Sequence, residues 1–315
     1  MPLSGEDRLL HWLRQRSGSK LIGDDAAILP ESGPFAVTVD SQIEGVHFTP
    51  GLGPVRLAWR LLAVNLSDLA ATGAEPAYAF LALSTAPGFD HRRFFNSLLS
   101  GCRRYGLELA GGDLARSGQT VATLTLLGTK PPEGRWLRRS DAAPGHGLWL
   151  GGTIGESAAG RRLIDRGEPL KKPASLRAAA HRAIERHLVP MPQIELGRWL
   201  GQQKAGAAMD VSDGLARDLH RLCRESSTGA RIEAEALPFS DRFAELCRAI
   251  GADPLALAVS GGEDYVLLFT LPSGVEPPAG FGCRRIGTIT KSRRVLLLRE
   301  GIAEDLPARG WDHLT

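Results

Sequence analysis

Seven aspartates stand in separate motifs, all but Asp68 at glycine-flanked or strand-end positions, between residues 24 and 213 of this 315-residue chain. They are Asp24 and Asp25 in Ile22-Gly23-Asp24-Asp25-Ala26, Asp40 after Val37-Thr38-Val39, Asp68 in Asn65-Leu66-Ser67-Asp68, Asp113 after Gly111-Gly112, and Asp210 and Asp213 in Asp210-Val211-Ser212-Asp213-Gly214. A fold that gathers such carboxylates must offset their repulsion, and divalent cations among them would do so. Hard oxygen ligands favour Mg2+, usually held by a few carboxylates together with phosphates. No Walker-type lysine loop accompanies the acids, and Gly151–Gly160 reads as a tight strand-to-helix connection. The set therefore implies magnesium acting on a nucleotide's phosphates. Singly, each motif has a plainer reading: a polar turn at Gly23–Asp25, a tight turn at Gly111–Asp113, a helix cap at Ser212. Asp68 is the most informative alone, because it interrupts an apolar helical stretch where aspartate is a poor former. Asn65, three residues earlier, points to the same side.

Hydrophobic residues make up 43% and charged residues 23% of the chain, as in ordinary globular proteins. The net charge of +3 and the lack of a basic run argue against a nucleic-acid partner. Cys102, Cys223, Cys247 and Cys283 show no CxxC spacing, which predicts reduced, buried thiols rather than zinc. No signal peptide and no membrane-length apolar run are evident, so a cytoplasmic location away from membranes is expected.

Periodicity predicts helices over 3–16, 55–73, 90–105, from Glu156, over 174–187 and 193–203, from Asp213 to Arg224, and near 240–250. Strands are expected at 35–39, 77–84, 107–110, 120–128, 148–150, into Asp210, on either side of the helix near 240–250, and near 264–270 and 282–289. Prolines and glycines cluster at 130–146, which suggests a boundary between domains 1–138 and 139–315. Alternating helices and strands make the class α/β, or α+β with mixed sheets.

The ordered motifs resemble the thiamine-monophosphate kinase family, within the superfamily of aminoimidazole-ribonucleotide synthetase and selenophosphate synthetase. The resemblance runs nearly the whole length. It rests on Ile22–Ala26, Gly45-Val46-His47-Phe48, Ala63–Pro76, Gly111-Gly112-Asp113, Asp210–Leu215, Ser260-Gly261-Gly262-Glu263-Asp264-Tyr265 and Gly310-Trp311-Asp312-His313. It implies a two-domain fold whose N-terminal strands form a barrel across a homodimer. The N-terminal domain would bind ATP and magnesium, and the C-terminal domain would complete the substrate site. The implied reaction is direct transfer of the ATP γ-phosphoryl to thiamine monophosphate. On this resemblance Asp25, Thr38, Val39 (by its carbonyl), Asp40, Asp68, Asp113, Asp210 and Asp213 would hold several Mg2+ ions. Tyr105, Gly112, Asp113, Arg139 and Ser212 would contact ATP, and His47, Glu263 and Trp311 thiamine phosphate. Departures from the family pattern are Arg138-Arg139-Ser140-Asp141, His146 and Glu156. Two other readings are another ATP-dependent enzyme of the superfamily and a binding protein without turnover. The absence of any cysteine before Cys102 disfavours the selenide branch.

Overall fold

The computed structural model describes residues 27–28, 33–167, 174–203 and 205–312. Asp24, Asp25, His313 and the expected helix over 3–16 lie outside them. In chain order the elements are β1 (Ala27–Ile28), β2 (Phe35–Ile43), α1 (Gly53–Ala71), β3 (Glu75–Thr85), α2 (His91–Tyr105), β4 (Glu108–Arg116), β5 (Val121–Thr129), β6 (Gly147–Leu150), α3 (Glu156–Arg166), α4 (Ala174–Leu188), α5 (Ile194–Gln202), β7 (Ala208–Asp210), α6 (Leu215–Glu225), β8 (Gly229–Glu233), α7 (Phe243–Ala249), α8 (Pro254–Ser260), β9 (Leu267–Leu271), β10 (Arg284–Thr290), β11 (Val295–Arg299) and β12 (Ile302–Asp305). The described residues divide into two compact units, one of 27–28, 33–136 and 188–203, the other of 137–167, 174–187 and 205–312.

The N-terminal unit is built on a mixed sheet of order β1-β2-β5-β3-β4, in which only β3 and β4 run parallel. Alternate side chains of its inner strands, among them Ala36, Thr38, Leu81, Leu83, Leu124 and Leu126, are buried. They meet α1, whose residues from Leu57 to Ala71 are nearly all buried, polar Arg60, Asn65 and Ser67 included. A helix buried on nearly all sides needs neighbours on its outer face as well. Glycine permits both: a Cβ on Gly101 of α2 would meet Leu62 Cδ2 at 2.3 Å, and one on Gly197 of α5 would meet the Ala70 carbonyl at 2.1 Å. The helix stops as expected at Gly73, which takes a left-handed φ of 70°. On the opposite face of the sheet Val39, Tyr78 and Phe80 remain exposed.

The C-terminal unit carries a sheet of order β12-β11-β8-β10-β6-β9-β7, antiparallel except at β11 and β8. Leu148, Leu150, Leu268, Ile286 and Ile289 of this sheet pack with Leu215, Leu219 and Leu222 of α6. A second apolar cluster joins α3, α4, α7 and α8 through Leu163, Ala183, Phe243, Leu246 and Leu257.

Two expectations need correction. The strand expected over 107–110 continues through both glycines and Asp113 to Arg116, because its ladder with β3 is unbroken from Phe80 to Thr85. The turn reading of Gly111–Asp113 therefore fails. A Cβ on Gly112 would lie 1.9 Å from the Leu81 carbonyl, so the glycine serves close strand approach. Helix α6 begins at Leu215 with Gly214 at its N-cap, and Ser212 does not cap it. Helix α8 and strands β11 and β12 are additions to the expected pattern. Asp253-Pro254 marks the start of α8, with Asp253 Oδ2 accepting from Ala256 N at 3.0 Å. Cys102, Cys223 and Cys247 are buried free thiols, while Cys283 is only half-buried.

Candidate active site

In the N-terminal unit β2 and α1 bring four of the singled-out residues together. Thr38 and Asp40, two apart on one strand, share the face toward the helix. Asn65 and Asp68, three apart on the helix, answer them. Thr38 Oγ1 donates to Asp68 Oδ2 at 2.5 Å. Asp40 N donates to Asn65 Oδ1 at 3.1 Å, and Asn65 Nδ2 donates back to the Leu61 carbonyl at 2.8 Å, which sets the amide's orientation. Among the described residues β1 pairs with Ala36 and Val37, and Asn65 takes a backbone donor of β2 beyond that pairing. Val39 lies on the other face, 57% exposed, and could offer a cation only its carbonyl.

Asp113 is not part of this cluster within one chain. It is exposed on the edge strand β4, in register with Ala82, three strands from β2. Strand spacing alone puts that separation at about 14 Å. Tyr105, also distant in the sequence of elements, ends α2, where the Arg104 guanidinium lies 5.5 Å from the centroids of both the Tyr105 and Trp59 rings. Burial pushes the Tyr105 phenol up, against the pull of Arg104. His47 sits in the loop after β2 with Nδ1 accepting from Ile43 N at 3.1 Å, which leaves the neutral ring's hydrogen on Nε2.

In the C-terminal unit the turn Asp210–Gly214 is the organising centre. Buried Asp210 ends β7, and the chain then turns into α6. One oxygen of Asp218, inside that helix, accepts from Ser212 N (3.1 Å), Asp213 N (3.0 Å) and Gly214 N (3.2 Å). Arg221 Nη1 reaches Asp218 Oδ1 at 3.3 Å and forms an ion pair with Asp213 Oδ2. Burial first, then the charge of Asp213, pushes the Asp218 carboxyl up; Arg221, Arg139 and the Asp213 N–H pull it down. Arg139 thus acts electrostatically on the same turn. Glu263 and Trp311 flank the turn: Glu263 N donates to the Ser212 carbonyl at 2.7 Å and Trp311 N to the Asp213 carbonyl at 2.9 Å. A Cβ on Gly310 would fall 2.3 Å from that Asp213 carbonyl, so only glycine lets the tail lie so close. The Trp311 side chain is 54% exposed, so its ring is available for stacking.

Sequence reasoning missed Asp218 and Arg221. A signal existed: Leu215, Asp218, Leu219 and Leu222 follow the spacing of one helix face, so an aspartate falls on the apolar stripe. It also missed the role of Glu156, whose departure from the family pattern becomes a buried hub. Its Oε1 accepts from Arg182 Nε at 2.8 Å and Ser240 Oγ at 2.6 Å, and its Oε2 lies 3.7 Å from Arg186 Nε.

The donors on both units are hard oxygens, the chemistry that suits Mg2+. Among the described residues no group of three or more His, Cys, Asp or Glu side chains is gathered as a metal cage.

The AIR synthase related protein models match both parts of the chain, the N-terminal domain over residues 23–129 and the C-terminal domain over 143–297. Thiamine-monophosphate kinase of Salmonella typhimurium is 39% identical over 307 residues, 93% of this chain and 91% of that protein. The Escherichia coli K12 enzyme of the same name is 40% identical with the same coverage. The solved structure of AaThiL complexed with AMPPCP and TMP superposes with a TM-score of 0.89 at 30% identity, over 100% of this chain and 99% of that one. The chain is a member of the AIR-synthase-related superfamily and, within it, of the thiamine-monophosphate kinase family.

Proposed function

We infer that this protein transfers the γ-phosphoryl group of ATP to thiamine monophosphate, giving thiamine diphosphate and ADP. The observation that carries this is the near-full-length match to thiamine-monophosphate kinases, joined to the same fold in a relative bound to an ATP analogue and TMP. The acceptor is a phosphate oxygen, already anionic, so no strong general base is required. The barrier lies in bringing two polyanions into line, which is a matter of positioning and charge neutralisation.

We assign Asp40 and Asp68 in the N-terminal unit, and Asp210 and Asp213 in the C-terminal unit, to holding Mg2+. Asp25 and the Thr38 and Val39 oxygens are assigned with them. When bound, Mg2+ would neutralise the phosphates' charge. The Thr38 hydroxyl keeps Asp68 oriented, and Asn65 keeps the Asp40 backbone in place. Gly112, Tyr105, Arg139 and Ser212 are assigned to ATP. His47, Glu263 and Trp311 are assigned to thiamine phosphate, where an aromatic face and a carboxylate suit a cationic thiazolium. Incubation with ATP, Mg2+ and thiamine monophosphate should yield thiamine diphosphate by mass. No product with the protein and metal present, or equal product after chelation, would overturn the reading.

A homodimer is proposed as the working form. The exposed apolar side chains Val39, Tyr78 and Phe80 on one sheet face, and Leu114 on the edge strand, support it. So does the position of Asp113, which a second copy could supply where one chain cannot. Light scattering should give a particle of two chains; a monomer at working concentration would end the proposal. A cytoplasmic location is proposed too, supported by the buried free thiols and by the finding that no described helix is long and apolar enough to cross a membrane. Recovery in a membrane or secreted fraction would contradict it.

A further inference from the structure

Glu263 holds a left-handed backbone, φ 58°, a conformation uncommon for a residue with a side chain other than Asn or Asp. Strain of this kind persists where the surroundings over-determine it, and those surroundings form a closed ring of contacts. The Glu263 carboxylate, 31% exposed, lies 3.4 Å from Nδ1 of His187, whose side chain is only 6% exposed. Ser157 Oγ, also buried, lies 3.2 Å from the same Nδ1. A carboxylate can only accept, so the tautomer with its hydrogen on Nδ1 is the one that suits the Glu263 contact. Ser157 is fixed in turn by the next residue after Glu263: Asp264 accepts from Gly155 N at 2.9 Å and from Ser157 N at 3.4 Å. Desolvation raises the Asp264 carboxyl to about 7, opposed by those two donors and by Arg186. The chain thus returns to its start, with the His187 side chain bridging the end of α4 to the Glu263 carboxylate.

We propose that His187 is a positioning residue for thiamine phosphate: its Nδ1–H, steadied by Ser157, directs the Glu263 carboxylate toward the organic cation of the substrate. This rests on the kinase reading above. Nothing in ATP recognition requires the contact, so its loss should be felt by one substrate and not by the other.

The experiment is steady-state kinetics on wild type, His187→Leu and His187→Asn, with each substrate varied separately. His187→Leu removes the donor and is expected to raise KM for thiamine monophosphate about tenfold or more, with KM for ATP unchanged. His187→Asn can present its amide N–H where Nδ1 stood and should remain within about threefold of wild type. Ser157→Ala should raise the same KM by a smaller factor, and it carries the test should His187→Leu fail to fold. Unchanged KM values in His187→Leu, an equal rise in both, or an Asn variant as impaired as the Leu variant would overturn the proposal. A wild type that forms no thiamine diphosphate would sink the kinase reading instead. Calorimetric titration with thiamine monophosphate alone would then read the His187 effect as the same loss of affinity.

Discussion

Asp68→Asn is expected to lower turnover about a hundredfold or more while shifting the melting temperature by less than about 4 °C. The geometry separates the two effects. Asparagine is nearly isosteric and retains an oxygen for the Thr38 hydroxyl, so the contact between β2 and α1 survives. The negative charge is lost. A cation that stabilises transition-state charge contributes several kcal/mol, and each 1.4 kcal/mol is about a factor of ten in rate. Asp210→Asn should behave alike, since it also alters charge at a strand end without changing shape. Turnover and thermal melting measured on the same preparations decide the matter. Normal turnover in either variant would remove that residue from the magnesium set.

Asp218→Ala should instead unfold the C-terminal unit's turn. It removes one oxygen that accepts three successive backbone N–H groups, and takes Asp218 Oδ1 away from Arg221. Breaking one member of a buried, hydrogen-bonded charge network costs about 3–5 kcal/mol. For a unit of this size that is about 10 °C or more in melting temperature. Activity falls with it, because the Ser212 and Asp213 carbonyls receive Glu263 N and Trp311 N. Asp218→Asn keeps an acceptor oxygen and should lose less than half as much stability. Thermal melting of the three proteins side by side tests this; an Ala variant as stable as wild type would show that the turn is held by other contacts.

These residues also show where sequence reasoning succeeds and where it stops. Asp68 was legible because an aspartate in an apolar helix conflicts with local propensity, and Asn65 one turn away pointed the same way. Glu263 and Trp311 stood out through motif resemblance alone; the structure adds that the backbone N–H of each binds a carbonyl of the Asp210–Gly214 turn. Ser212 looked like a cap because serine before a helix usually is one. The three N–H groups there are taken by Asp218, a preference of tertiary packing over local propensity. The glycine pair before Asp113 read as a turn, since glycine more often signals a bend than a strand; its use in close strand approach depends on β3, distant by some thirty residues.

Composition, periodicity and motif order determined the mixed α/β class and the family, because each is written in neighbouring residues or in their sequence along the chain. The tertiary structure alone decided which acids meet. It joined Thr38 and Asp40 to Asn65 and Asp68, left Asp113 three strands away, tied Asp213 to Arg221, and set His187 beside Glu263. Such pairings depend on strand order, register and helix crossings, long-range contacts whose partners no local spacing specifies.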